Sequence, residues 1–124
     1  MPQASTTGIR PATALLADVV CVVVFCTIGR RSHAEGITIA GVAATAWPFL
    51  AGTAVGWLAA RAWRQPAALA PTGLTIWLST VVIGMLLRKA TSAGTAVSFV
   101  VVASLVTAIL LLGWRAAVSA LARR

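Results

Sequence analysis

The sequence predicts an all-α protein, a transmembrane four-helix bundle, from its composition and from the spacing of its apolar residues. Of the 124 residues, 60% are hydrophobic and 10% are charged, whereas soluble domains carry roughly a quarter charged residues. A small soluble domain buries only about two thirds of the surface that its chain exposes, so it could not hide this much apolar surface. The apolar residues fall into four runs. In lipid each run must satisfy its own backbone hydrogen bonds, which favours helices.

The four predicted helices span about residues 11–28, 37–60, 72–87 and 95–112. A helix needs about 20 apolar residues to cross the hydrocarbon core, and about 17 can suffice. The third run is short, but Leu69 and Ala70 can extend it, and local thinning of the bilayer costs little. The first run resembles the start of a signal peptide. Because Gly29-Arg30-Arg31 follows where small residues should mark a cleavage site, we expect a mature helix instead.

The short connections predict how the helices are ordered in the membrane. Loops of about 7 to 11 residues join antiparallel neighbours, so we expect an up-down-up-down bundle with both termini on the same side. Residues 11–118 would form this single transmembrane domain. A disordered arm, residues 1–10, would precede it, and a basic C-terminal tail, residues 119–124, would follow it.

Counting cations predicts the orientation. The side of the termini would hold six of them, namely Arg10, Arg61, Arg64, Arg115, Arg123 and Arg124. The other side would hold four, namely Arg30, Arg31, Arg88 and Lys89. The more basic side should be cytoplasmic, so we expect a multi-pass protein of the cell membrane with cytoplasmic termini.

The net charge of +8 points to lipid rather than to nucleic acid. The cations occur as pairs and singles between apolar runs and form no basic face on a helix. This pattern is typical of helix ends in a bilayer with anionic headgroups, which we expect as a partner. Nucleic-acid binding is not expected.

Small residues predict how the helices contact one another, because close backbone approach is a main source of association in lipid. The expected packing positions are Gly41, Gly52 and Gly56 of the second helix and Gly84 of the third. The face with Gly52 and Gly56 could pack within the chain. Alternatively, it could bind a second copy in a homodimer, or a larger membrane complex. The fourth helix is apolar nearly all round and should be the most exposed to lipid.

Asp18 is the most informative residue, since it is an acid within an apolar run. It lies about 10 residues, or about 15 Å, from the loop end of the first helix. An ionised carboxylate near the bilayer centre costs at least about 2.5–3.5 kcal/mol, so Asp18 should face the bundle interior. We expect a polar layer at its depth, formed by Asp18, Trp47, Ser79, Thr80 and Ser104. Whether this layer is functional or structural is left open by the sequence.

The loop GRRSHAEG, residues 29–36, is expected to form a rim above Asp18 on the side away from the termini. Its candidate residues are Arg30, Ser32 and His33, joined by Arg88 from the third helix. Arg30 and Arg31 are expected at the end of a membrane helix, but a helix end gives no reason for Ser32 and His33.

The order and spacing of these residues resemble the Domain of Unknown Function 3054 family, small multi-pass membrane proteins. The resemblance covers roughly residues 14–116. It is carried by Asp18, Gly29-Arg30 with Ser32-His33, Trp47-Pro48-Phe49 with Gly52, Gly56 and Trp57, Trp77, Gly84 with Arg88, Gly94 with Phe99, and Gly113-Trp114-Arg115. It implies a membrane location and adds no activity.

The sequence lacks the motifs of several enzyme classes. There is one histidine, no P-loop, no glycine-rich dinucleotide loop and no cysteine cluster. We therefore assign no catalytic residue and expect no metal or cofactor. The first hypothesis is a structural or accessory membrane component. The alternatives are a small proton- or ion-coupled transporter or channel that uses Asp18, and a membrane enzyme acting on a phosphorylated lipid with His33 as general acid/base.

Overall fold

The computed structural model describes residues 9–32, 37–91 and 96–122, and in these ranges the chain is helical with short connections. The helices are α1 (Pro11–Ser32), α2 (Ile39–Ala60), α3 (Leu74–Ala90), α4 (Val97–Thr107) and α5 (Gly113–Ala122). A π-helical turn, Ala108–Leu112, joins α4 to α5 into one span. Four helices are therefore long and apolar enough to cross a membrane, and the predicted all-α four-helix fold is confirmed.

Three helices extend further than the apolar runs suggest, and α3 continues to Ala90. α1 continues to Ser32, and the fourth span continues to Ala122, so residues 119–122 of the predicted tail are helical. Arginines do not stop a helix, because cations are favourable in its last turn and their long side chains can reach the headgroups. Residues 1–8 of the predicted arm lie outside the described residues. As a consequence of the longer fourth span, Arg115 lies within a helix.

α2 and α3 pack closely because α2 carries glycine at the contact. A Cβ atom at Gly52 would lie 2.6 Å from the carbonyl oxygen of Ser79, and one at Gly56 would lie 2.8 Å from Cα of Ile76. The Ser79 hydroxyl also donates to the Gly52 carbonyl oxygen at 2.6 Å. The face with Gly52 and Gly56 is thus used within the chain.

The other two predicted packing glycines also make room for neighbouring side chains. The ring of Phe49 occupies the space beside Gly84 on α3. The guanidinium of Arg30 lies against Gly41 near the beginning of α2. In both cases a larger residue would displace a side chain rather than a backbone.

All three phenylalanines of the chain meet in one cluster and join three helices. Phe25 of α1 and Phe49 of α2 have ring centroids 5.3 Å apart, and Phe99 of α4 lies 6.2 Å from each. A second cluster lies around Ala14, Trp57, Ala62 and Ile76. The core therefore consists of an aromatic region and a region at the α2–α3 connection.

The fourth span is the most exposed, as expected from its apolar composition. In the apolar 18-residue segment of this span only 17% is buried, whereas 28–33% is buried in the corresponding segments of the other three spans. Its contribution to the interior is concentrated in a few positions, which include Ala103, Thr107, Leu111 and Arg115.

We expect Gly52→Ala to destabilise the bundle by about 1–3 kcal/mol, since the added methyl group meets backbone atoms that cannot rotate away. The measurement is the free energy of unfolding in mixed micelles, titrated with a denaturing detergent.

Gly29→Ala and Gly113→Ala are the matched controls, because a Cβ atom at either position has no neighbour within 4 Å. Each should be neutral or should stabilise its helix by up to about 1 kcal/mol. Equal effects of all three substitutions would show that close α2–α3 contact is not what Gly52 provides.

Candidate functional site: a buried ion pair

Asp18 lies seven residues after Pro11, so it is about 10 Å along the axis from the beginning of α1. Its side chain is fully buried. α1 extends to Ser32, so the carboxylate is closer to the beginning of the helix than to its end. Asp18 therefore lies near the α2–α3 connection and away from the end of α1 at Ser32.

The Asp18 carboxylate accepts four hydrogen bonds from nitrogen donors. Arg115 donates from Nη1 to Oδ1 at 2.8 Å and from Nη2 to Oδ2 at 2.7 Å, which is a bidentate ion pair. The indole of Trp57 donates to Oδ2 at 2.8 Å, and that of Trp114 donates to Oδ1 at 3.0 Å. Each oxygen thus has two donors, and the charge of the acid is balanced by the guanidinium.

Arg115 is as deeply enclosed as its partner, with a relative exposure of 0%. Its Nε donates to the carbonyl oxygen of Pro66 at 3.0 Å, and Nη1 donates to that of Leu111 at 3.1 Å. The guanidinium carbon lies 4.4 Å from the centre of the Trp114 ring, within cation–π distance. The position of this guanidinium is therefore set by the acid, by two carbonyl groups and by an aromatic face.

The α2–α3 connection covers the ion pair. After α2 ends, the chain makes a 3-10 turn, Ala62–Arg64, and returns to α3 through buried Pro66, Ala67 and Thr72. Gly73 admits the arginine, since a Cβ atom there would lie 2.9 Å from Cδ of Arg115. The connection thus supplies both a hydrogen-bond acceptor and the space that the side chain needs.

The π-helical turn Ala108–Leu112 precedes Arg115 by three residues. Such a turn holds an extra residue, and each residue rotates a helix by about 100°, so the positions after it face a different direction from those of an uninterrupted α-helix. Trp114 and Arg115 are the second and third residues after the turn, and both reach Asp18.

The predicted polar layer is divided among other contacts, and none of its other members bonds to Asp18. Ser79 donates to Gly52, and Ser104 donates to the carbonyl of Val100 at 2.8 Å, while its own carbonyl accepts from Trp77 at 3.0 Å. Trp47 is 46% exposed on the outside of α2. The layer around the acid is therefore built from Trp57, Trp114 and Arg115.

Thr80 belongs to a separate buried pair with Thr53 of α2. The two hydroxyl oxygens are 2.8 Å apart, and each also lies within bonding distance of a carbonyl oxygen on its own helix, Phe49 at 2.9 Å and Ile76 at 2.7 Å. Two hydroxyl protons serve three contacts, so one hydroxyl donates to the other and only one carbonyl receives a hydroxyl proton at a time. This pair links α2 to α3 without involving the acid.

Two of the predicted rim residues, Arg30 and Arg88, lie near the ends of α1 and α3. Arg30 is twelve residues after Asp18, about 18 Å along the axis, and its Nη1 donates to the Thr45 hydroxyl at 3.0 Å. The guanidinium of Arg88 lies 4.6 Å from the centre of the Phe99 ring. The Ser32 side chain and His33 lie outside the described residues. Arg30 and Arg88 therefore do not contact the acid.

The sequence prediction did not include Arg115, Trp57 or Trp114 among the site residues, and it counted Arg115 with the cations on the side of the termini. Two signals could have found them. An acid in an apolar helix requires a cation at a matching depth, and Gly113-Trp114-Arg115 stands out in the fourth run. The depth of Asp18 was also measured from the loop end of α1, although the beginning of the helix is nearer.

Four apolar spans and an interior ion pair define a helical multi-pass membrane protein. A family model described as a protein of unknown function (DUF3054) matches residues 15–118. This match covers most of the 124 residues, and the chain belongs to the DUF3054 family. Neither the curated proteins nor the solved structures compared with the chain gave a match.

In the described part of the chain, no group of three or more His, Cys, Asp or Glu residues is placed to hold a metal ion. The two thiols, Cys21 and Cys26, are not joined in a disulfide.

We expect Asp18→Asn to reduce the free energy of unfolding by about 3–5 kcal/mol, because it leaves the Arg115 guanidinium buried without a counter-charge. The amide also cannot accept four hydrogen bonds from these donors, since one of its oxygens becomes an NH2 group. The measurement is detergent-titrated unfolding in mixed micelles.

The double variant Asp18→Leu/Arg115→Met serves as its control. Replacing both charges with apolar side chains of similar size removes the unpaired guanidinium and should restore part of the loss. The indole N–H groups of Trp57 and Trp114 and the carbonyl of Pro66 still lose their partners, so the rest of the loss should remain. If the double variant loses as much as the sum of the two single variants, the two side chains do not act as a pair.

Trp57→Phe should cost about 1.5–3 kcal/mol, because it removes one hydrogen bond to a charged acceptor while keeping an aromatic ring. Trp47→Phe is the matched control on the same helix, and its effect should stay within about 0.5 kcal/mol since its ring is on the outside. The same unfolding measurement compares the two. Indistinguishable losses would argue against a bond between Trp57 and Asp18.

Proposed function

We propose that the protein is a structural or accessory component of the cell membrane, and that Asp18 fixes the bundle rather than carrying an ion. The observation that supports this is the enclosure of the Asp18 carboxylate, which is fully buried and accepts four N–H donors.

An acid that moves protons or cations must exchange with water or with the transported ion. For Asp18 to do so, four hydrogen bonds would have to break, and the buried guanidinium of Arg115 would lose its counter-charge. Breaking a buried pair in this way costs several kcal/mol. A role in holding helices together needs none of these changes and uses the bonds as they are.

The contacts between helix ends support an up-down-up-down arrangement with both termini on one side. Asp18, early in α1, bonds to Trp57 near the end of α2 and to Arg115 late in the fourth span. This end would carry six cations and the other end four, which favours a cytoplasmic location for this end.

A flux measurement distinguishes a structural or accessory component from a transporter. Liposomes containing the wild-type protein should show no proton or monovalent-cation flux above that of empty liposomes, because the Asp18 carboxylate is fully buried and paired with Arg115. Flux that is present in the wild type and lost in Asp18→Asn would overturn the proposal.

An accessory role also predicts a stable assembly with other membrane components after extraction in a mild detergent. The Asp18→Leu/Arg115→Met variant, which keeps a packed bundle but no intramembrane acid, should retain the same assembly. A wild-type protein that purifies only as an isolated monomer would contradict the accessory role.

A further inference from the structure

The chain has ten cationic residues but only two acids, Asp18 and Glu35. Asp18 is the one carboxylate in the described part of the chain, and its charge is balanced inside the bundle by Arg115. Glu35 lies outside the described residues. The arginines around the α2–α3 connection must therefore find their counter-ions outside this part of the protein.

These arginines form one surface, which we call the basic edge and which consists of Arg10, Arg61, Trp63 and Arg64. The three arginines are exposed, and the Trp63 ring is 48% exposed. The turn that presents them is anchored by Ala62, which is fully buried. Ile9, beside Arg10, packs on the cluster that contains Ala62 and so brings Arg10 to the same edge.

Arg61 occupies a backbone position that normally favours glycine. It ends α2 with φ 50° and ψ 53°, the left-handed conformation of a helix C-cap. Such a conformation is disfavoured for a residue with a Cβ atom, and glycine is the usual choice there. Among the described residues Arg61 is the one non-glycine with positive φ, which suggests that its side chain serves a purpose that glycine would not.

We propose that the basic edge binds the phosphate groups of anionic phospholipids. Residues 61–68 connect the spans Ile39–Ala60 and Leu69–Ala90, so the edge lies at the level where headgroups meet the spans. A guanidinium matches phosphate oxygens with two parallel N–H donors. An exposed indole is suited to the same depth, with its ring in lipid and its N–H among the headgroups.

A bound headgroup would also stabilise the interior. Two residues after Arg64, the carbonyl of Pro66 accepts the hydrogen bond from Nε of Arg115. A lipid that orders the turn Ala62–Arg64 thereby holds this carbonyl over the ion pair. The inference goes beyond the proposed accessory role and does not depend on it, since it requires only the membrane location.

The test measures the relative association constant of spin-labelled phosphatidylglycerol over spin-labelled phosphatidylcholine, from the motionally restricted lipid in electron paramagnetic resonance spectra. The wild-type protein should prefer the anionic lipid. Arg64→Gln should lower this preference about fivefold, and Arg61→Gln/Arg64→Gln about 25-fold, since each cation contributes about fivefold.

Lys89→Gln is the matched control, because it also removes one exposed cation but lies at the other end of α3. It should change the preference less than twofold. Arg61→Gly separates backbone from charge: it should keep or increase stability in zwitterionic micelles, and it should lower the preference for anionic lipid about fivefold because it removes one cation. Equal losses in Lys89→Gln and Arg64→Gln would show a response to net charge alone and overturn the proposal.

A second measurement concerns the link to the ion pair. Adding phosphatidylglycerol to zwitterionic micelles should raise the unfolding temperature of the wild type but not that of Arg61→Gln/Arg64→Gln. Inorganic phosphate at equal concentration should not substitute for the lipid. If it substitutes fully, or if both proteins respond equally to lipid, the basic edge is not a phospholipid site. Neither result bears on the flux test of the accessory role.

Discussion

The ion pair between Asp18 and Arg115 joins residues that are 97 positions apart in the chain. Because lipid tails are as apolar as leucine, apolar burial does little to bring helices together in a membrane, and specific contacts must do so. This pair connects α1 to the fourth span, the Trp57 indole adds α2, and the Pro66 carbonyl adds the α2–α3 connection. One carboxylate and one guanidinium thus organise the end of the bundle at which all of these elements meet.

The remaining contacts fall into two further kinds, and each acts at a different level of the bundle. Glycines allow the backbones of α2 and α3 to meet, and the Thr53–Thr80 pair adds a hydrogen bond between the same helices. The three phenylalanines then join α1, α2 and α4 further along, with Arg88 against Phe99. Charge pairing, close backbone approach and aromatic contact therefore follow one another along the bundle, so each helix is held at more than one depth.

The sequence predicted the fold class well because hydropathy is a sum over some twenty residues per span, and single positions hardly change it. The site depended on local details that do not sum in this way. The fourth helix was expected to end at residue 112, which left Arg115 among the headgroups, whereas the span continues for ten residues. The π-helical turn just before Trp114 and Arg115 also changes the direction in which they point, and apolar residues give no signal of its presence. Asp18 was correctly expected to face the interior, but its depth and its partner were not found.

The position of the ion pair along its helices lowers the free energy of inserting two charged side chains into a bilayer. Asp18 lies seven residues from the beginning of α1, and Arg115 lies seven residues from Ala122, so each is about 10 Å from an end of its own span. At this depth, before the helices associate, each side chain can still reach water or headgroups, and the cost of inserting a charge is lower than at the bilayer centre. When the helices associate, the two charges form a neutral, hydrogen-bonded pair and become buried. The one carboxylate in the described part of the chain is thereby removed from the surface, while Arg10, Arg61 and Arg64 stay exposed. The proposed affinity for anionic lipid and the interior pairing thus have the same origin, which is the shortage of acidic residues.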